Sequence, residues 1–456
     1  MHRKKPFEFL DIVMLAVVGV ASLLAVPQIA RGGLTQLFFM SLMGVMFFAP
    51  LALFCAELGS AFPRNGGLYI WIREAFGEKI SLLAIWIYWL YNIIWFPAIL
   101  LVITNFFIAA ISTDLTANPY YSAILAGAIY WTIVWINSKG AQALSYFTTL
   151  SGIIGLLVPT FMISILAIIW VATGNPSHLT FTKSAFFPSF KSIGGFLIIA
   201  TIVFEMVGLE LPAAHSDDLE EPKKNYPKSL IASSIIIFAM MIFSSLSIAV
   251  VVPNHHLNTA SGIVESFALF FNQFDLPILG VIFAFFVSFG LIGAVSAWNA
   301  TLPKYFIAAS EDGSIPPSLV TTNERGTSPR FLAIQGFFVT LLIGISIWMK
   351  NAQIDYAVIA EVTTQLAMLP YLFLFLAGLR LRFTHQEIKR PFSLPKPLLW
   401  IAGTLGIISC LLALFLGFFP KGDLALLNLH IYQTYLAIGI VLACAIPMVY
   451  SGVNRR

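Results

Sequence analysis

Three glutamates stand inside long apolar runs, where a carboxylate needs a reason to be. Glu205 and Glu210 lie in I-G-G-F-L-I-I-A-T-I-V-F-E-M-V-G-L-E-L-P-A-A-H (193–215), and Glu361 lies in the apolar stretch 354–379. At the centre of a membrane helix each would cost about 2.5–3.5 kcal/mol on insertion scales. Gly208 and Pro212 bracket the second of them, and both residue types are poor in a helix interior, proline because it removes a donor and clashes with the preceding turn. A broken helix is expected here, and broken backbone at membrane depth is tolerated only against protein or a water-filled cavity. The competing reading is a simple proline kink with Glu205 and Glu210 paired to neighbours. Three other acids, Glu8, Asp11 and Glu57, fall near span ends and are expected to reach the interface.

A weaker echo occurs in V-V-G-V-A-S-L-L-A-V-P (17–27), where Gly19, Ala21, Ser22 and Pro27 would let a first apolar segment unwind near its middle. If the first ten spans form two repeats of five, the odd number turns the second copy upside down. The first and sixth spans then become equivalent. Interrupted segments at corresponding positions point to an inverted-repeat carrier with its site between them. Free N–H groups at such helix ends can hold a carboxylate, and free carbonyls an ammonium. Aromatic residues gather at the same depth: Tyr88, Trp89 and Tyr91, then Phe204, then Trp298 within the small-residue stretch G-A-V-S-A-W-N-A-T (293–301). Small residues favour close helix approach, which singles out Trp298 among them.

Other chemistries find no support. The chain has no phosphate-binding glycine loop, no G-x-S-x-G, no H-x-x-x-H and no paired CxxC, so neither an enzyme nor a metal or cofactor site is expected. His255 and His256 are adjacent and read as a solvated loop pair, while Cys55, Cys410 and Cys444 are scattered in apolar runs and read as packing residues. A net charge of +4, with no basic run longer than Arg3-Lys4-Lys5, argues against a nucleic-acid partner.

The elements that position these groups must be membrane helices. Of 456 residues, 59% are hydrophobic and only 10% charged, against roughly 25% charged in soluble chains. Crossing a bilayer takes about 20 helical residues. Uncharged stretches of that length occur at 80–111, 115–138, 140–182, 229–264, 276–303, 397–420 and 424–454. Less clean ones near 9–31, 35–58, 192–214, 331–349 and 354–379 bring the total to twelve. The long stretch 140–182 is read as one helix near 141–172, followed by a loop at Gly174, Asn175 and Pro176. No small-residue cleavage site closes the first segment, so it is read as a retained span. Twelve spans put both termini on one side. A cytoplasmic amino terminus leaves 20 of the 25 lysines and arginines inside, with Arg31, Lys183, Lys191, Lys350 and Lys421 outside. The largest hydrophilic loops (59–79, 215–228, 309–330 and 380–397) are then all cytoplasmic and too short for cores of their own.

Three motifs in order resemble the amino acid–polyamine–organocation superfamily. They are A-E-L-G-S-A-F-P-R-N-G-G-L-Y-I-W-I-R-E-A-F-G (56–77), G-L-E-L-P-A-A-H-S-D-D-L-E-E-P-K-K-N-Y-P (208–227) and W-N-A-T-L-P-K-Y-F-I-A-A-S-E-D-G-S-I-P-P (298–317). Within it, F-F-P-S-F (186–190), the G-L-E…H spacing and V-V-P-N (251–254) look most like bacterial glutamate/GABA antiporters and arginine/agmatine exchangers. The resemblance covers essentially the whole chain and implies an all-α membrane protein of the LeuT type in the bacterial inner membrane. It would be one polytopic domain (1–456) with inverted repeats near 9–172 and 192–381 and two extra helices within 398–451. It places substrate between unwound parts of the first and sixth spans. Phe204 then matches the family's gating aromatic, Glu210 its G-x-E carboxylate, and Trp298 an aromatic near the site, while Lys304 matches a basic residue at the eighth helix's inner end. The family's first-span glycine–serine–glycine pattern is only G-V-A-S here (19–22). Position 205, usually small and neutral, is glutamate, which with Glu361 favours a cationic amino acid or amine over glutamate.

The reading is therefore a secondary amino-acid transporter, an exchanger, with a site built from Gly19, Ala21, Ser22, Tyr88, Phe204, Glu205, Gly208, Glu210, Trp298 and Glu361. Its partners would be an amino acid or amine, protons, and the surrounding lipids. The alternatives are a polyamine or organic-amine carrier coupled to protons through one of these glutamates, and a membrane sensor of the same fold that signals without flux.

Overall fold

Apolar runs with few charges fold as helices because hydrocarbon offers the backbone no other hydrogen-bond partner. The computed structural model describes residues 7–111, 118–179, 182–188, 196–253, 262–348, 352–420, 424 and 428–453. Among them the structure is helical, with no strand beyond an isolated bridge between Phe7 and Leu219. Arg3, Lys4, Lys5, Lys191, Asn254, His255, His256, Lys350, Lys421, Arg455, Arg456 and the last two residues of F-F-P-S-F lie outside the described residues.

In chain order the helices begin with α1 (Phe9–Val20), α2 (Val26–Arg31), α3 (Gly33–Met43), α4 (Ala49–Ala61) and α5 (Gly67–Phe76). Next come α6 (Glu78–Ile111), α7 (Pro119–Ser138), α8 (Ala141–Gly152), α9 (Val158–Ala172), α10 (Lys183–Phe186) and α11 (Ile198–Phe204). The second half holds α12 (Pro222–Val251), α13 (Gly262–Asn272), α14 (Pro277–Glu311), α15 (Pro329–Ser346), α16 (Ala352–Thr384), α17 (Lys396–Gly417) and α18 (Leu429–Val453). Four of these open on a proline, whose missing N–H costs nothing in a first turn. Asn118 and Ser328 cap α7 and α15, accepting hydrogen bonds from the backbone N–H of Tyr120 and Phe331. Two π-helical turns, Gly44–Phe48 and Ile153–Leu157, join α3 to α4 and α8 to α9. Each ends two residues before a proline (Pro50 and Pro159), which removes one ladder donor and leaves the extra residue to be absorbed as a bulge.

Nine helical stretches among the described residues are long and apolar enough to cross a bilayer. They fall on the expected segments other than 9–31, 192–214 and 424–454. The helix read near 141–172 spans Ala141–Ala172. The first two missing segments hold only short helices because they are interrupted, at residues 21–25 and 205–210. In the third, Leu429–Ala445 is apolar and lies within α18, which runs on to Val453. Parts of the expected cytoplasmic loops are ordered: α5 lies within 59–79 and buries Leu68, Tyr69, Ile70, Trp71 and Ile72, and α12 begins at Pro222.

Helix α1 packs against α8, α12 and α14, and residues 211–218, just past the second interruption, pack against α1, α5 and α14, so the breaks sit inside the bundle. Glu57 does not reach the interface as expected. It is buried at the end of α4, with Arg382 Nη1 at 3.0 Å, Arg390 Nε at 3.4 Å and the Leu394 backbone N–H donating to its other oxygen at 2.7 Å. This cluster straps the 380–397 loop over the ends of α4 and α5.

Candidate functional site

The two breaks meet. Helix α1 ends at Val20, and Ala21 turns to extended backbone while its N–H still donates to Val17 O at 2.7 Å. The Leu24 N–H is then satisfied by Ser22 Oγ at 3.1 Å. Helix α11 ends at Phe204, and after residues 205–210 the chain resumes as a short 3₁₀ helix, Leu211–Asp218. Gly208 has φ +116°, a conformation open to glycine and strained for other residues. A Cβ built there would lie 2.8 Å from the Gly19 carbonyl oxygen and 3.1 Å from the Trp298 ring, and one built on Gly19 would clash with Leu211. The unwinding of α1 frees the Gly19 carbonyl from its helical partner. Trp298 of α14 supplies the replacement, Nε1 donating to it at 2.8 Å.

A cavity of about 70 Å³ lies beside this junction. Gly19, Ala21 and Ser22 line it from the first break, and Phe204 and Glu205 from the second. Tyr91, Asn92 and Trp95 of α6 and Trp298 of α14 complete the wall. Among the described residues lining it, Glu205 is the one that carries a charge. The space exceeds what a single water needs, about 10–15 Å³ on the same kind of measure, so it has room for several waters or for a small solute in their place.

Glu210 is fully buried and is not among the residues that line that cavity. Its Oε1 accepts hydrogen bonds from the hydroxyls of Tyr88 (α6) and Tyr371 (α16), the latter at 2.8 Å. Tyr88 stacks on Trp298 with ring centroids 5.5 Å apart and meets Tyr305 edge-on at 5.2 Å. Tyr88 precedes the cavity-lining Tyr91 and Asn92 by one turn of α6, so this knot closes the cavity on the side toward Glu78. Beyond it, His215 Nε2 lies 3.2 Å from Thr301 Oγ1, and Asp218 accepts a hydrogen bond from Lys304 Nζ at 3.1 Å. Phe7 packs on the His215 ring and pairs with the backbone of Asp218 and Glu220. Burial disfavours the Asp218 carboxylate, but the His215 ring, with Nδ1 at 3.8 Å, and the Lys304 charge outweigh it and hold the carboxyl below the usual range.

Of the residues expected at the site, Gly19, Ala21, Ser22, Phe204, Glu205 and Trp298 come together around one cavity. Tyr88, Gly208 and Glu210 form the layer directly against it. Glu361 stands apart, packed beside Gly417, with Gln365 Nε2 at 3.3 Å from Oε1. Asn92, Trp95 and Tyr371 were not anticipated. The first two share a helix face with Tyr88 and Tyr91 at i, i+3/i+4 and i+7 spacing, and that spacing was available as a signal. Nothing local marked Tyr371.

The amino acid permease family model matches residues 7–443. An uncharacterised transporter of Legionella pneumophila is 30% identical over 99% of this chain and 97% of its own. A glutamate/gamma-aminobutyrate antiporter of Lactococcus lactis is 27% identical, covering 94% of this chain and 87% of that one. A probable agmatine/putrescine antiporter of the same species is 25% identical over 90% and 85%. Among solved structures, MhsT in complex with L-phenylalanine superposes with a TM-score of 0.60 at 15% identity, covering 89% of this chain and 97% of that one, a likeness of fold alone. With the family model spanning nearly its whole length and transporters as its relatives, the chain is a multi-pass membrane transporter, not an enzyme, and belongs to the amino acid permease family.

Proposed function

We propose that this protein is a twelve-span exchanger of amino acids or amines that binds its substrate between the two helix breaks. The arrangement would be two inverted repeats of five spans plus two carboxyl-terminal helices, with both termini in the cytoplasm. The observation that carries the reading is the contact of the two breaks at Gly19 and Gly208 beside a cavity at the centre of the bundle. Unwound segments offer what a zwitterion needs, free N–H groups for a carboxylate and free carbonyls for an ammonium. Alternating access then consists of rocking one set of helices about this fixed site. The Glu210 knot on one side of the cavity is the contact that must part for release toward the end of the bundle carrying Glu78.

The relatives' names divide between a glutamate exchanger and an amine exchanger, and both fit exchange at such a site. A proton-coupled amine carrier is the second reading, favoured by Glu205 facing the cavity. Uptake of radiolabelled substrate into proteoliposomes decides between them. Exchange requires flux into vesicles preloaded with unlabelled substrate and little into empty ones. Flux into empty vesicles that follows an imposed pH gradient makes it a proton-coupled carrier. Binding without flux in either makes it a sensor.

A further inference from the structure

The carboxylates inside the bundle differ in one respect. Glu57 is held by two arginines and a backbone N–H. Glu210 is held by two tyrosine hydroxyls, and Glu361 by the Gln365 amide. The Glu205 carboxylate has no hydrogen-bond or ion-pair partner among the described residues, although its backbone N–H donates to Thr201 O. It lines the central cavity, where among the described residues no lysine, arginine or histidine lines the wall with it. A carboxylate at membrane depth without a protein partner is costly, and the cost is offset when a ligand brings the opposite charge. The rest of the wall suits such a ligand. Trp95, Trp298 and Tyr91 present aromatic rings, whose faces attract ammonium and guanidinium groups. Because Trp298 Nε1 is already committed to Gly19 O, this residue can offer a ligand its ring.

We propose that the substrate carries net positive charge, as a basic amino acid or an organic diamine does, and that Glu205 is its counter-ion in the cavity. The inference rests on the reading of this cavity as the substrate site. A dicarboxylic amino acid would bring like charge against Glu205, with no cation among the described wall residues to offset it. Proton and substrate compete for the same carboxylate, so binding a cation expels a proton wherever Glu205 is protonated beforehand. Apparent affinity then rises with pH.

The test is calorimetric titration of the purified full-length protein with arginine, lysine, agmatine, putrescine, glutamate and GABA from pH 5 to 8, in buffers of different ionisation enthalpy. The wild type should bind one or more of the four cations, more tightly at high pH, with proton release at low pH. Glu205→Gln should weaken that binding on the order of 100-fold, as expected for a lost hydrogen bond to a charged group, and flatten its pH dependence. Glu205→Asp, which keeps the charge, should recover part of the loss. Unchanged cation binding in the Gln variant overturns the proposal. So do equal losses in Asp and Gln with equal falls in melting temperature, a wild type that prefers glutamate or GABA, or one that binds none of the cations. Glutamate exchange in proteoliposomes would sink this proposal and leave the exchanger reading standing. Cation binding without flux would do the reverse.

Discussion

Replacing Trp298 separates two things its side chain does. The indole N–H satisfies the Gly19 carbonyl at 2.8 Å, and the ring stacks on Tyr88 while walling the cavity. Trp298→Phe keeps most of the ring but leaves a buried carbonyl without its donor, a loss of about 1–3 kcal/mol. Trp298→Ala removes the ring as well, and large-to-small changes of an aromatic core residue cost about 3–5 kcal/mol. Denaturant or thermal unfolding of purified protein should therefore rank wild type above Phe above Ala. Ligand titration should show the Phe variant recovering part of the affinity lost in Ala, since a ring face remains for the ligand. A Phe variant as stable as wild type would mean that the bond to Gly19 does not hold the first break to α14. Equal ligand loss in both variants, tracking stability alone, would make Trp298 a packing residue and refute its place in the site.

Three further outcomes follow from single contacts. Gly208→Ala puts a Cβ against Gly19 O and forces a non-glycine residue to φ +116°; it should cost roughly 1–3 kcal/mol of stability and reduce transport, and full activity with normal stability would contradict the close contact of the two breaks. Glu57→Gln leaves Arg382 and Arg390 without their buried counter-ion, a loss of about 3–5 kcal/mol that a melting curve would register, while an unchanged melt would show the strap to be unimportant. The Asp218 carboxyl is held below its usual range, so the stability it contributes is present above about pH 4, the unfolded value, and is lost as pH falls. Wild type and Asp218→Asn should then differ most near neutrality and converge in acid, and a constant difference would contradict the ion pair with Lys304. For orientation, single cysteines at Lys223 and Gln273, both exposed, in a background without Cys55, Cys410 and Cys444, should react oppositely with impermeant thiol reagents in whole cells. Labelling at position 223 from outside would invert the map.

What could be read in the residues, and what could not, divides along the range of the interactions. The two breaks were legible because they are written locally, in Gly19, Ser22 and Pro27 and in Gly208 and Pro212. The helix Ala141–Ala172 was legible because its apolar run ends at Gly174, Asn175 and Pro176. Helical spacing on α6 could also have supplied Asn92 and Trp95. Tertiary partners were not legible. Periodicity assigns Glu361 to an apolar helix but says nothing of its neighbour across the interface, which is Gly417 rather than the central cavity. Glu57 reads as an interface acid until Arg382 and Arg390, more than 300 residues later, fold back onto it. Likewise the bonds of Glu210 to Tyr371 and of Trp298 to Gly19 join residues 161 and 279 positions apart.

The account stands or falls on where substrate binds. An experimental structure of the protein with the tightest-binding ligand from the titration panel tests this directly. The prediction is ligand density in the cavity between Ser22, Glu205 and Trp298, with its positive group on the Glu205 carboxylate. Ligand density beside Glu361, or anywhere else that leaves the junction of Gly19 and Gly208 untouched, would contradict it.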